Sequence, residues 1–118
     1  MTRFVLVLVL TISLNVVAQI KPAERNGPDC SGGYPTNMSQ AQLKNAGLLE
    51  YADIDFTETQ TVRLASEKTG SNRWHQVYLV TFFKRSGGTV EAIAIHDASS
   101  EECSLSDIEV FVVSRHLK

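Results

Sequence analysis

Asp29-Cys30-Ser31-Gly32-Gly33 is the stretch of the chain that comes nearest to enzymatic machinery, since it sets a serine beside an acid and two glycines whose amides could face an oxyanion. A serine nucleophile also needs a histidine base and an acid to orient it. No histidine precedes Ser31, and the chain is too short for the two full barrels that present such a loop, so a disulfide-anchored glycine turn is the plainer reading. Cys30 and Cys103 could be thiol nucleophiles only with a nearby cation or helix N-terminus to lower the pKa. Glu101 and Glu102 directly before Cys103 act the other way. His75, His96 and His116 lack the close spacing that aims two imidazoles at one metal ion, although the expected hairpin register sets His75 and His96 on one side. The carboxylates of Asp97, Glu101, Glu102 and Asp107 do not follow the alternation and turn glycine of a calcium loop. They read as a solvated acidic loop, with docking of a basic partner as the alternative. Glu91 and Asp97 could project from one strand as a carboxylate pair, but nothing around them shapes a sugar cleft. The sequence therefore assigns no catalytic residue, no metal ligand and no cofactor.

What the chain states most clearly is an address. Met1-Thr2-Arg3 is a short basic start, Phe4 to Leu14 is apolar, and Val16-Val17-Ala18 suits a signal-peptidase site, so residues 1–18 read as a cleavable export signal. The apolar run is shorter than the roughly 20 residues that span a bilayer. A periplasmic or secreted protein is expected, with no membrane attachment after cleavage. Only two cysteines occur in the chain, and outside the cytoplasm a Cys30–Cys103 disulfide is the one intramolecular pairing. Asn37-Met38-Ser39 is an N-glycosylation sequon, relevant in a eukaryotic source. The formal charge of −2 becomes more negative once Arg3 is removed, and the cations are scattered. Neither a basic stripe for nucleic acid nor a polybasic patch for a membrane surface is present.

The elements that must position any site follow from the local pattern. Residues 19–38 read as an irregular arm, punctuated by Gly27-Pro28, Gly32-Gly33 and Pro35. Residues 39–118 form a single small domain. Ser39 with Gln42 makes a capping box, with Met38 and Leu43 as a staple, and Gly47 with Leu48 suits a Schellman terminus. A helix of about two turns is expected over 40–46, burying Leu43, Ala46 and Leu48 or Leu49. From Ile54 the period becomes two: strands are expected over 59–66, 74–83, 89–96 and 108–114, with turns at 68–72 and at Ser86-Gly87-Gly88. The fold class is thus α+β: a short N-terminal helix packed on a four-stranded antiparallel meander, stapled by the disulfide.

Turns of two or four residues at Ser86-Gly87-Gly88 would put Tyr78, Val80 and Phe82 on a face with Ile93 and Ile95, and Leu79 and Phe83 on the other with Val90, Ala92 and Ala94. Both faces are apolar, and one short helix covers only one. The second must be covered by the arm, by strong curvature of the sheet, by a second copy of the chain or by a partner. Trp74, Tyr78, Leu79 and Phe83 are the expected contact residues, as aromatic anchors are common at interfaces.

Helix followed by meander resembles the element order of cystatin-like domains, and Gln76-Val77 falls near the place where those inhibitors carry a Gln-x-Val-x-Gly hairpin. Position 80 is Val and the glycine is missing, so the likeness is one of fold and carries no site across. The functional expectation is a small exported binding protein, not an enzyme, acting as an inhibitor or immunity protein toward a toxin or hydrolase. A small-ligand pocket between helix and sheet is the alternative, and a small hydrolase a more distant one.

Overall fold

A computed structural model describes residues 26–113; the expected export signal at 1–18, the start of the expected arm, His116 and the chain after 113 lie outside the described residues. Among the described residues, the helix α1 (Tyr34–Asn45) precedes a 3-10 turn (Tyr51–Asp53) and four strands. These are β1 (Ile54–Gly70), β2 (Arg73–Lys84), β3 (Thr89–Ala98) and β4 (Glu109–Val113). They pair antiparallel in the order β1-β2-β3-β4, which is the expected meander.

The helix begins earlier than its expected cap. Pro35 lies in the first turn, where a missing N–H breaks no intrahelical bond, and the Gly33 carbonyl accepts the opening bond from Asn37 N–H at 3.0 Å. Residues 34–38 therefore belong to α1 and not to an irregular arm. Ser39 is no cap: with Pro35 and Leu43 it forms the buried stripe at a spacing of four residues, while Ala46 is exposed. The C-terminus follows expectation. Gly47 takes a φ of +73°, its N–H donates to the Lys44 carbonyl, and Leu48 N–H donates to the Leu43 carbonyl, both at 2.9 Å. Leu48 itself stays half exposed, and it is Leu49 that enters the core.

β1 is longer than the alternation of its sequence suggests because three irregularities interrupt the pairing, between Asp55 and Gln60, Arg63 and Ala65, and Lys68 and Gly70. Each bulge resets the inward–outward phase, so a run of period two never builds up.

The β2–β3 hairpin corrects the expected register. Gly87 N–H donates to the Lys84 carbonyl and Lys84 N–H to the Gly88 carbonyl, both at 3.0 Å, closing a three-residue loop with Gly87 at a φ of +107°. An odd loop shifts the partner strand by one residue, which exchanges its two faces. Asp53 holds this loop from outside: its carboxylate accepts from Ser86 N–H at 2.8 Å and Ser86 Oγ at 2.5 Å, and its carbonyl accepts from Arg85 N–H at 2.7 Å. Tyr78 accordingly pairs with Ala94, Val80 with Ala92 and Phe82 with Val90, whereas Leu79 pairs with Ile93 and Val77 with Ile95.

α1 packs on the face of Tyr78, Val80 and Phe82, across β2 and β3. Leu43, Leu49, Ile54, Val80, Phe82 and Ala92 form one buried cluster; Cys30, Tyr78, Ala94 and Ala98 form a second. Alanine at the inward positions of β3 gives the helix room to approach. The Cys30–Cys103 disulfide, with Cα atoms 5.9 Å apart, joins the segment before α1 to the loop between β3 and β4.

Candidate functional site

The fold divides the residues expected at a contact surface. Trp74 and Tyr78 point to the helix side and are buried, so they are withdrawn as contact residues; Leu79 and Phe83 point to the other face and are half-buried. The shifted hairpin register does not move β2, so the reason lies in the segment before α1. Residues 26–30 run along the helix-side face and cover its aromatic end.

That cover is fastened by a polar network invisible in the sequence. The Tyr78 hydroxyl accepts from Cys30 N–H at 2.9 Å and donates to Gln76 Oε1 at 2.7 Å. Gln76 Nε2 donates to the Pro28 carbonyl at 2.8 Å and to Ser66 Oγ at 3.1 Å, and Arg63 Nη1 reaches the same Pro28 carbonyl at 2.9 Å. Ser66 Oγ donates to the Asn26 carbonyl. Burial pushes the Tyr78 phenol above its ordinary range, which keeps it a donor. Gly27 lies on the Trp74 ring with a φ of +71°, and a Cβ there would come within 2.7 Å of ring carbons. Lys68 Nζ stands 5.5 Å from the centroid of the same ring. These partners make the four polar side chains a structural unit that holds residues 26–30 to β1 and β2.

His96 occupies the same buried layer. Its ring stacks on Tyr78 at 5.5 Å between centroids and meets Tyr34 edge-on at 5.2 Å. Nδ1 lies 3.1 Å from the Asp97 carbonyl and, facing a group that only accepts, carries the proton; Nε2 has no hydrogen-bond partner among the described residues. Burial holds the His96 pKa below its ordinary value, against the pull of the Asp97 carbonyl. His75 is on the opposite face, paired with Asp97, so the expected placement of His75 and His96 on one side is corrected by the same odd loop.

Asp97 is saturated. Arg73 Nε and Nη2 bind its Oδ2 at 2.9 and 2.7 Å, and His75 Nδ1 lies 2.6 Å from Oδ1. The His75 bond first, and Arg73 after it, hold this carboxyl below the usual range. Glu91 shares the open face with Asp97, but the strand between them carries Ile93 and Ile95 and sets them about 20 Å apart. Paired glycosidase carboxylates stand at roughly half that distance or less. Ser31 serves a turn: its N–H donates to Asp29 Oδ1 at 3.0 Å and its carbonyl accepts from Thr36 Oγ1 at 2.6 Å. Glu101 and Glu102 sit in a tight loop in which both N–H groups point at Ser99 Oγ.

What remains is the sheet face that no described element covers. A single cross-strand row traverses all four strands there: Val62 pairs with Leu79, Leu79 with Ile93, and Ile93 with Phe111. Val62 is 54% and Phe111 52% exposed, and Leu79 and Ile93 are half-buried between them. The adjoining row adds Val77 and Ile95. Solvent faces of antiparallel sheets are ordinarily polar, so a continuous apolar row is the feature of this surface that asks for a cause. Ile93 was missed from the sequence because it joins Leu79 only in the register of a three-residue loop; Val62 joins Leu79 through the pairing of β1 with β2, and Phe111 joins Ile93 through the pairing of β3 with β4. The signal available was Gly87-Gly88, which suits that loop as well as a two-residue one.

Comparison of the chain with protein-family models, with curated proteins and with solved structures finds no match. The surface itself is therefore the ground for a functional reading.

Proposed function

We propose that this chain is a small exported binding protein of the inhibitor or immunity type, which covers a surface of another protein with the open face of its sheet. The observation that carries the reading is the exposed row Val62, Leu79, Ile93 and Phe111. Removing what remains of such side chains from water stabilises a complex by about 1 kcal/mol per half-exposed residue. A hydrogen-bonded sheet is a rigid platform, so little conformational entropy opposes docking on it. The disulfide supports an oxidising location, in keeping with periplasmic or secreted export. Leu43, Val80, Phe82 and Ala92 fill the space between helix and sheet, which favours this reading over a ligand cavity there.

The test is affinity capture with the oxidised mature protein, from extracts of its source and of neighbouring species, run in parallel with Leu79→Ser/Phe111→Ser. A protein enriched by the wild type, lost with the double variant and retained by Tyr51→Ser, whose exposed ring lies against Lys44 of α1, is the expected result. Enrichment indifferent to the face variants would overturn the reading.

A further inference from the structure

The charges of the sheet are sorted between its two faces. Arg63, Lys68 and Lys84 take helix-side positions, opposite Tyr78, Trp74 and Ile54. Asp55, Glu67, Glu91, Asp97 and Glu109 take open-face positions, opposite Phe83, His75, Thr81, His75 and Ile95. Among the described residues, Arg73 is the one lysine or arginine that the pairing sets on the open face, and it is bound to Asp97, as is His75. Glu91 and Glu109 lie in the rows on either side of the apolar one, and Glu67 lies one row beyond Ala65.

We infer that the occupant of the open face is a basic protein surface, an apolar ridge flanked by lysine or arginine side chains. This rests on the proposed docking function and names the chemistry of its partner. The apolar row supplies the buried centre and the flanking carboxylates the rim, the arrangement in which aromatic and aliphatic anchors sit inside and charges fix register outside. The sign of the rim selects among occupants. An anionic membrane or a nucleic acid brings phosphates against Glu67 and Glu109, and is repelled. A second copy of the same face brings like carboxylates together, whereas a cationic partner gains both steering at a distance and pairing on contact.

The probes are two synthetic amphipathic helices, one of leucine and lysine and its counterpart of leucine and glutamate, titrated into the oxidised mature protein with amide shifts followed by NMR. The leucine–lysine peptide is expected to bind, with shifts centred on Val62, Leu79, Ile93 and Phe111. The counterpart should not bind. Glu67→Lys/Glu109→Lys should weaken binding at least tenfold, whereas Glu101→Lys/Asp107→Lys, in the loop between β3 and β4, should leave it within twofold. Shifts centred on that loop or on α1, equal binding of both peptides, or indifference to the face charges would overturn the inference. So would a concentration-dependent dimer that Phe111→Ser dissolves, since a second copy would then be the occupant. The two claims separate cleanly. If Leu79→Ser/Phe111→Ser abolishes capture of the natural partner while Glu67→Lys/Glu109→Lys does not, the docking reading stands and the basic partner is refuted. If neither affects capture, both fall.

Discussion

Ser39 and His96 show how a residue's role changes once its surroundings are known. The pattern Ser39-x-x-Gln42 carries the signature of a helix cap, yet Ser39 is fully buried inside α1 and its Oγ has no partner among the described residues. A buried hydroxyl without a hydrogen bond is a cost, and alanine has the better helix propensity. Ser39→Ala should therefore raise stability by about 0.5 to 2 kcal/mol in urea unfolding, where a true cap would lose about as much. His96 carries the pH dependence. Its folded pKa lies below the unfolded value of about 6.5, so the unfolded chain takes up the proton first as pH falls. Stability is full above that value and declines as the pH drops from it toward the folded pKa. An NMR titration should place the His96 midpoint below about 6.5, and unfolding at pH 5 should need less urea than at pH 7.5. A midpoint at or above the ordinary value would contradict the buried, neutral ring.

At the scale of elements, what was legible was local and what was not depended on contacts made elsewhere. The end of α1 was readable because Gly47 followed by Leu48 encodes a Schellman terminus within a few residues, and Gly47→Ala should cost about 1 to 2 kcal/mol at its φ of +73°. A stabilising Gly47→Ala would deny that terminus. The beginning of α1 was not readable, since Gly33, Tyr34 and Pro35 look like loop until the stripe of Pro35, Ser39 and Leu43 is buried against the sheet. β2 and β3 were evident from their composition, but their mutual register turns on the choice between loops that Gly87-Gly88 permits equally. Asp53, far away in sequence, makes that choice by binding Ser86. The cost of missing it was Ile93, which the even loops set on the helix side; Val62 and Phe111 depend on the pairings of β1 and β4, and the covering of Trp74 and Tyr78 depends on residues 26–30.

Across the whole molecule, one crosslink and one polar network fasten the segment before α1 to the body of the domain. The Cys30–Cys103 bridge closes a loop with a sequence separation of 73, for which the chain-entropy account gives about 4 kcal/mol. Cys103→Ser should lower stability by about 2 to 5 kcal/mol, and non-reducing peptide mass spectrometry should find the two cysteines linked. With that segment tied down, Trp74 and Tyr78 are covered, and the continuous apolar row lies on the other face of the sheet. The measurement that bears most directly on this is side-chain footprinting of the mature protein, alone and with its captured partner. Protection of Val62, Leu79, Ile93 and Phe111 on binding, with α1 and the loop between β3 and β4 labelled as before, is the expected result. Protection confined to α1 or to that loop, with the open face equally labelled in both states, would contradict the account.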